Sequence, residues 1–442
     1  MAASPSFHFN ILVLEDSLDW QDSLKRALQA TFQGSTAFSC TLVDNANAAR
    51  SLLTRNRYHF ISLDQNVPDK EGEIVFSEAS LTLCESLVEQ NVVAPRVIYT
   101  AFGKVEYSNW AGRVGGTRYL EKGVDDAKKE TYTAQKWAAL IKSDLDNNYI
   151  PFALDLAGKC LPFSLAERAC RAQAAYAAKT YETYMRLWLE LWESALHLAF
   201  AQTLAIYSHS GISRGRTSHY TPDGAPAGQE QFLEEVWPHL VRAGWLLPWV
   251  RYISTGNKEG GSVRTGEGFL QGASVPLRKL RNEVSHSFSG EQWKAWVGEY
   301  REAVLFLIDA LAFWIENPLM TGLQFHPTER QMVTGQAITG DQLPFPTRAI
   351  ELPTLNKVPS DSNEHVYLPW RREENNNQVI DVLDLDPFIM LERDRQGRLH
   401  LLLLSHPARE RGQWLYRSLT DGRLQPRSLA GPALQTVRSV FR

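Results

Sequence analysis

Short apolar runs alternate with longer amphipathic stretches between residues 7 and 145, and this rhythm constrains the fold more than any other feature of the chain. Five of the runs have the length of strands, and the stretches between them have helical periodicity. Strands that alternate with helices are typical of a parallel sheet that is covered on both faces. The sequence therefore predicts a doubly wound, flavodoxin-like α/β domain over residues 1–148.

The following segment, residues 149–320, has helical periodicity throughout, and its longest helix is predicted from Ser164 to about Tyr207. We interpret His197, which lies between two leucines of that helix, as a core residue. The segment is predicted to be an all-helical bundle. A wide aromatic stripe that would form its core comprises Met185, Trp188, Trp192, Ala195 and Ala199.

Proline and turn-forming residues predict a linker over residues 321–363, and short apolar runs separated by glycines predict a small antiparallel β domain over residues 364–442. At 442 residues the chain is too long for one core. The length is consistent with about three domains.

The net charge of −4 argues against a protein coated with basic surface, so any contact with nucleic acid would be local. Positive charge is concentrated in the segment from Phe388 to Arg442, where ten arginines, no lysine and four acidic residues leave a charge of +6. These arginines either form an RNA-binding face or are solvated residues that protect strand edges from pairing.

Cysteine usage and the N-terminal sequence bear on the cellular compartment. The four cysteines are scattered, without a C-x-x-C pair or a histidine at metal-ligand spacing, which favours reduced thiols. The start MAASPSFHFN lacks the features of a signal peptide, and the apolar stretches are too short to span a membrane. We therefore expect a soluble cytoplasmic protein.

Polar residues stand where the predicted strands end, and the carboxyl ends of parallel strands meet at one edge of a sheet. Three carboxylates at such an edge suit Mg²⁺, and a hydroxyl and an ammonium group opposite them can hold a phosphoryl oxygen. The pattern predicts a phosphorylation site with Asp64 as the nucleophile. The residues concerned are Glu15, Asp16, Asp64, Thr100 and Lys122.

With these residues in place, residues 7–145 resemble the receiver domain of response regulators. The resemblance implies Mg²⁺ as cofactor and a sensor histidine kinase or other phosphodonor as partner. It assigns metal ligation to Glu15, Asp16, Asp64 and the backbone carbonyl of Asn66. The other matching positions are Pro68 and Gly72 in DQNVPDKEG and the switch residues Thr100, Tyr119 and Lys122.

Two features depart from the receiver pattern. Gly123 follows the lysine where the family usually has a proline, and EIVFSEAS after Gly72 is a small insertion. Two alternatives stay open: the acidic residues are only turn formers at strand ends, or the domain is a receiver that is not phosphorylated.

The stretch LRNEVSHSF contains Arg281, Asn282 and His286, and the last two share one face if the stretch is helical. A neutral imidazole can take a proton from a ribose 2′-hydroxyl, and a guanidinium can hold the adjacent phosphate. This chemistry cleaves RNA without a metal. Arg278 and Lys279, one turn upstream, could attract RNA.

The spacing resembles the R-x(4 to 6)-H motif of the HEPN superfamily of helical-bundle proteins. The resemblance implies a homodimer, because active members build a composite site from two copies of the motif. Arg281 would then stabilise the phosphate, His286 would act as general acid or base, and Asn282 would orient one of them. The alternative is structural: Asn282 and His286 satisfy carbonyls at the helix end, and Arg281 pairs with an acid.

Taken together, the segments predict a bacterial signalling effector in which a phosphorylatable receiver controls an RNA-cleaving helical domain. The organisation is similar to that of proteins of bacterial conflict systems such as antiphage defence, by analogy only. The alternative is a non-enzymatic output protein whose helical and β domains bind a partner protein.

Overall fold

The computed structural model of the protein describes residues 6–33, 37–71, 79–101, 109–111, 116–122, 127–209, 226–242, 267–284, 288–325, 332–339, 345–351, 365–374, 377–393, 399–408, 410 and 413–441. The chain divides into two compact units. The first contains residues 1–156, and the second contains residues 157–254 and 258–442.

The first unit is an α/β domain. Its elements are β1 (Phe9–Leu14), α1 (Leu18–Phe32), β2 (Phe38–Val43), α2 (Ala46–Arg55), β3 (Phe60–Leu63), α3 (Ala79–Glu89), β4 (Arg96–Thr100), β5 (Thr117–Glu121), α4 (Ala127–Ser143), a π-helical turn at Asp144–Asn148 and most of α5 (Tyr149–Cys160). The five strands are parallel, in the order β2-β1-β3-β4-β5. The predicted doubly wound sheet is therefore confirmed.

Local sequence explains how this sheet is covered. Strands β1, β3 and β4 are buried almost throughout, as strands with helices on both faces must be. Ser17 and Asn45 cap the helices α1 and α2, because each side chain accepts a hydrogen bond from a backbone N–H in the first turn. Helix α4 is tied to β3 through the buried indole of Trp137, which donates to the hydroxyl oxygen of Ser62 at 2.8 Å.

The second unit begins with helices. They are the end of α5, α6 (Phe163–Ala177), α7 (Tyr181–His209), α8 (Pro226–Arg242), a π-helical segment Glu267–Ser274, α9 (Val275–Glu283), α10 (Gly290–Glu299) and α11 (Arg301–Glu316). The single long helix predicted from Ser164 is wrong, because the backbone turns at Lys179, whose φ of 56° is left-handed and ends helix α6 before α7 begins.

The predicted aromatic stripe of helix α7 forms the core of the helical region. Trp188 and Trp192 are fully buried, and His197 is 4% exposed. The indole N–H of Trp192 donates to the Ser274 hydroxyl oxygen at 2.8 Å, which fastens α7 to the π-helical segment. None of the helices in the described parts of the chain has the length and apolar character needed to cross a membrane.

Two antiparallel sheets complete the second unit. The first has the order β10-β9-β6-β7-β8 and the second has the order β11-β12-β13-β14, followed by helix α12. Their elements are β6 (Met320–Phe325), β7 (Met332–Ala337), β8 (Thr347–Glu351), β9 (Tyr367–Glu374), β10 (Asn377–Asp384), β11 (Ile389–Arg393), β12 (Leu399–Pro407), β13 (Gln413–Ser418), β14 (Leu424–Ser428) and α12 (Gly431–Phe441).

Strands β6, β7 and β8 lie at residues where the sequence predicts a linker. Their turn-forming residues separate short strands instead of forming an extended connection. Gly335 shows why a glycine is needed within β7: a Cβ there would lie 2.6 Å from a methyl carbon of Leu323 on the neighbouring strand. The small and turn-forming residues that predicted a linker therefore belong to short paired strands, where small residues allow close contacts between strands.

Candidate functional site

Two neighbouring strands bring the acidic residues of the first unit together. Strands β1 and β3 pair in parallel, with Leu14 opposite Leu63, so the residues that follow both strands leave the sheet at the same edge. The backbone N–H of Asp64 donates to the Leu14 carbonyl at 2.8 Å and carries this pairing one residue beyond the strands. Glu15, Asp16 and Asp64 consequently share the carboxyl edge of the sheet, as predicted.

Lys122 connects two of these carboxylates. Its Nζ lies 2.5 Å from Oε2 of Glu15 and 2.6 Å from Oδ2 of Asp64. All three residues are at most 7% exposed. The same ammonium group stands 5.4 Å from the ring centre of Trp20 and 5.3 Å from that of Tyr99, at distances where aromatic rings attract a cation. The site is therefore closed and strongly polar at its centre.

The donor set fits a divalent cation. Ligand oxygens of Glu15, Asp16 and Asp64 all lie within 4.8 Å of one another. Burial raises the pKa of Glu15 to about 7, with the charge of Lys122 lowering it and that of Asp64 raising it. Burial, followed by the charge of Asp64, also raises the pKa of Asp16. Three carboxylates that repel one another around one ammonium group would be stabilised by a hard cation that takes oxygen ligands.

The other predicted receiver residues lie on β4, on β5 and directly after β3. Thr100, at the end of β4, is fully buried, and its carbonyl accepts from the backbone N–H of Lys122 at 2.7 Å. Tyr119 in β5 is half-buried and packs against the apolar core. The backbone N–H of Asn66 donates to Oδ1 of Asp64 at 3.4 Å. The roles assigned to these residues stay predictions.

Some features of the site have no signal in the sequence. The hydroxyl of Ser80 donates to the backbone carbonyl of Asp64, and Ser80 belongs to the segment that the sequence presents as an insertion. The rings of Trp20 and Tyr99 next to Lys122 could not be found by spacing, because they come from different strand–helix units. Gly72 and Gly123 lie outside the described residues.

The R-x(4)-H segment lies at the end of helix α9. Arg281 and Asn282 are exposed residues of its last turn, and the helix ends at Glu283. Nε of Arg281 lies 2.5 Å from Oε1 of Glu193 on α7, a partner for which the sequence gives no signal. His286 lies outside the described residues, so its distance from Arg281 and its predicted role stay untested.

The cations upstream of the motif differ in their surroundings. Arg278 pairs with Glu230 at 2.7 Å, and Glu230 is 7% exposed in its side chain. Lys279 is 70% exposed and lies 3.8 Å from Glu283. Of these two cations, Lys279 is therefore the more exposed to solvent, although it pairs with Glu283.

The first unit has a CheY-like fold: its parallel order 2-1-3-4-5 is the doubly wound order found in flavodoxin and CheY. No family model matches the chain, and no curated protein matches it.

Solved structures that resemble about a third of the chain include response regulators. They include a receiver domain protein from Methanospirillum hungatei, with 19% identity over 32% of this chain and 95% of that one at a TM-score of 0.25. The Mn²⁺-bound response regulator Rcp1 has 22% identity over 33% of this chain and 96% of its own, at a TM-score of 0.24. The phosphorylated cyanobacterial phytochrome response regulator RcpA has 17% identity over 31% of this chain and 96% of its own, at a TM-score of 0.25.

Proposed function

We propose that the first unit is a phosphorylation-controlled receiver in which Asp64 accepts a phosphoryl group. The contact of Lys122 with both Glu15 and Asp64 at the carboxyl edge of the sheet is the observation that carries the proposal. It joins a buried nucleophile, a fixed cation and the acidic pair in one site. A turn-forming role alone would not place a buried ammonium group between two buried carboxylates.

The chemistry follows from these positions. A carboxylate oxygen of Asp64 attacks the phosphorus of the donor, the bond to the leaving group breaks, and an acyl phosphate forms. Lys122 is placed to bind a phosphoryl oxygen, and the hydroxyl of Thr100 completes the edge. A divalent cation, proposed to be Mg²⁺, would be held by Glu15, Asp16, Asp64 and the carbonyl of Asn66. It would offset the charge of the phosphoryl oxygens.

Replacing Asp16 with Asn tests the metal site. Asp16 is exposed and is not part of the Lys122 contacts, so the fold should tolerate the change. We expect Mg²⁺ to bind at least about tenfold more weakly by isothermal titration calorimetry, because a charged oxygen ligand is lost. The control is Asp69→Asn, which removes a carboxylate that pairs with Arg50 at 2.6 Å. Equal Mg²⁺ affinity of wild type and Asp16→Asn would contradict the site.

For the second unit we propose RNA cleavage by the R-x(4)-H segment. The observation in its favour is that Arg281 stands half-exposed at the end of a helix that also presents Lys279. His286 would take the proton of a ribose 2′-hydroxyl, and the 2′-oxygen would attack the adjacent phosphorus. The 5′-oxygen would leave with a proton from a second acid, which the other copy of the motif supplies in a homodimer.

Regulation completes the proposal: the phosphorylation state of the receiver would set the activity of the helical domain. Antiphage defence would be one setting for such an effector. The competing proposal, a non-enzymatic output protein that binds a partner, is favoured by the pairing of Arg281 with Glu193, since that ion pair gives the arginine a structural role. An assay of RNA cleavage separates the two.

Purified protein incubated with total RNA in EDTA is expected to cleave it, because the proposed site needs no metal. Arg281→Ala and His286→Ala should each lower the rate by about 100-fold, within the range for loss of a general acid–base or charge-stabilising group. Gel electrophoresis measures the cleavage, and thermal unfolding verifies the fold of each variant. Arg171→Ala, which removes a 59% exposed arginine of helix α6, serves as the control. Intact RNA with wild type, with and without acetyl phosphate and Mg²⁺ beforehand, would favour the partner-binding protein.

A further inference from the structure

Two aromatic rings lie beside the Lys122 ammonium group at the carboxyl edge of the first unit's sheet. Nζ stands over the ring of Trp20, 5.4 Å from its centre, and over the ring of Tyr99, 5.3 Å from its centre. The two rings contact each other edge to face, with centres 5.6 Å apart and planes at 84°. Two aromatic rings and the carboxylates of Glu15 and Asp64 therefore contact one ammonium group.

Trp20 is fixed relative to the acidic residues by the start of helix α1. Its backbone N–H donates to the Ser17 hydroxyl oxygen at 3.5 Å, and the Ser17 backbone N–H donates to Oε1 of Glu15 at 3.2 Å. The side-chain amide of Gln21 donates to the Glu15 carbonyl at 2.6 Å. The helical turn that carries Trp20 is thus tied to Glu15, one of the two residues that Lys122 contacts.

Tyr99 is fixed from the side of the sheet. It precedes Thr100 in β4 and is 1% exposed. Its ring packs against that of Trp137, with centres 6.1 Å apart, and the Trp137 indole N–H donates to the hydroxyl oxygen of Ser62 on β3 at 2.8 Å. Strand β3 leads directly to Asp64. Both rings are therefore attached to elements that carry the acidic residues of the site.

The ammonium group of a lysine is a point charge at the end of a flexible four-carbon stem, so its position during phosphoryl transfer has to be maintained by its surroundings. When a phosphoryl group bonds to Asp64, the Lys122 ammonium group must exchange a carboxylate oxygen for a phosphoryl oxygen. A bound divalent cation would also share the charge of the carboxylates. The two rings take part in neither exchange. Their attraction for a cation is larger where water is excluded, as it is from the 3% exposed side chain of Lys122.

We propose that Trp20 and Tyr99 are positioning residues of the phosphorylation site, whose rings hold the Lys122 ammonium group where it binds a phosphoryl oxygen on Asp64. The inference rests on the phosphorylation proposed for the first unit. With acetyl phosphate as donor, the bond between the Asp64 oxygen and phosphorus forms as the bond between phosphorus and the acetate oxygen breaks. Acetate leaves with the electron pair, and Lys122 keeps its protons. The rings act only through Lys122.

The test compares two substitutions of Trp20 in the full-length protein. Trp20→Leu removes the ring and keeps an apolar side chain, whereas Trp20→Phe keeps a ring that attracts a cation. Labelling by acetyl phosphate with Mg²⁺ is followed over time by intact-mass spectrometry. We expect the rate constant to be about tenfold lower for Trp20→Leu and within about threefold of wild type for Trp20→Phe. Equal rate constants for the two variants would overturn the inference.

The affinity for Mg²⁺, measured by isothermal titration calorimetry, separates positioning of Lys122 from a general disturbance of the site. Trp20→Leu should bind Mg²⁺ like wild type, because all the proposed oxygen ligands remain. Weaker binding that accompanies the lower rate would mean that the whole site is disturbed, and the inference would be wrong. Trp110→Leu is the matched control. It removes another half-buried tryptophan of the same unit, whose indole N–H donates to Glu85 at 3.0 Å, and should be labelled at the wild-type rate.

The outcomes also separate this inference from the proposed function. Wild type that gains no phosphoryl group, or Asp64→Asn that gains one, would reject the proposed function and the inference with it. Labelling of wild type at Asp64, together with equal rate constants for Trp20→Leu and Trp20→Phe, would reject the inference alone. If Trp20→Leu does not fold, Trp20→Met takes its place in both measurements, since an unbranched apolar side chain adapts to the space of the ring.

Discussion

Asp64→Asn is expected to abolish labelling of the protein by acetyl phosphate in the presence of Mg²⁺, while wild type gains one phosphoryl group. The amide cannot attack phosphorus as a carboxylate does, and it removes the anion that Lys122 contacts at 2.6 Å. Intact-mass spectrometry measures the added group. The fold should persist, because an amide replaces the carboxylate without a change in volume.

The matched control is Asp69→Asn, five residues further along the same loop. Asp69 is 39% exposed and pairs with Arg50, so its loss leaves the buried site unaltered and labelling should continue. Labelling of Asp64→Asn at the level of wild type would show that another residue accepts the group. The assignment of Glu15, Asp16 and Lys122 to a phosphorylation site would then be wrong.

The sequence predicted the receiver fold because its information there is local. Each strand is a continuous apolar run, so the strands can be counted directly in the sequence. The polar residue after each run marks the carboxyl end of that strand. The gathering of Glu15 and Asp64 needs only the parallel pairing of β1 with β3. The bridge formed by Lys122 does not follow, because it depends on the conformation of one long side chain beside Trp20 and Tyr99.

Helix lengths in the second unit were less predictable. Helical periodicity continues across Lys179, and only the left-handed backbone there separates α6 from α7. The same applies at Tyr300, which ends α10 and precedes α11 while the apolar pattern runs on. The periodicity of apolar residues indicates which face of a helix is buried. It does not indicate the single residue at which one helix ends and the next begins in a new direction.

The surroundings of the R-x(4)-H segment are determined by long-range packing. Glu193 is one of several acidic residues on α7, and nothing in its neighbours marks it as the partner of Arg281. Arg417 is one of ten arginines in the C-terminal segment, which the sequence assigned either to RNA binding or to solvated edges. Arg427 fits neither assignment, since it is 31% exposed and forms a two-point ion pair with Glu392. The prediction that some of these arginines bind RNA is not tested by these contacts.

The burial of His197 in helix α7 makes the stability of the fold depend on pH. Burial, then the charge of Arg417, lower the pKa of His197 from 6.5 to about 3, with Gln229 opposing and Arg281 adding to the shift. Because the folded-state pKa lies below the unfolded one, the stabilisation is complete above pH 6.5 and is lost as the pH falls towards 3.

His197→Leu is expected to flatten this acid dependence. The free energy of unfolding of wild type and variant is measured in urea at matched pH. The difference between wild type and His197→Leu should fall by about 3 kcal/mol from pH 6.5 to pH 4, because only wild type carries the histidine. Glu230, whose pKa is raised to about 7 by burial, is present in both proteins, so its contribution cancels in the difference. His209→Leu alters an exposed histidine at the end of the same helix and should give a profile parallel to wild type. Parallel profiles for His197→Leu and wild type would mean that burial does not hold this histidine neutral in the folded protein.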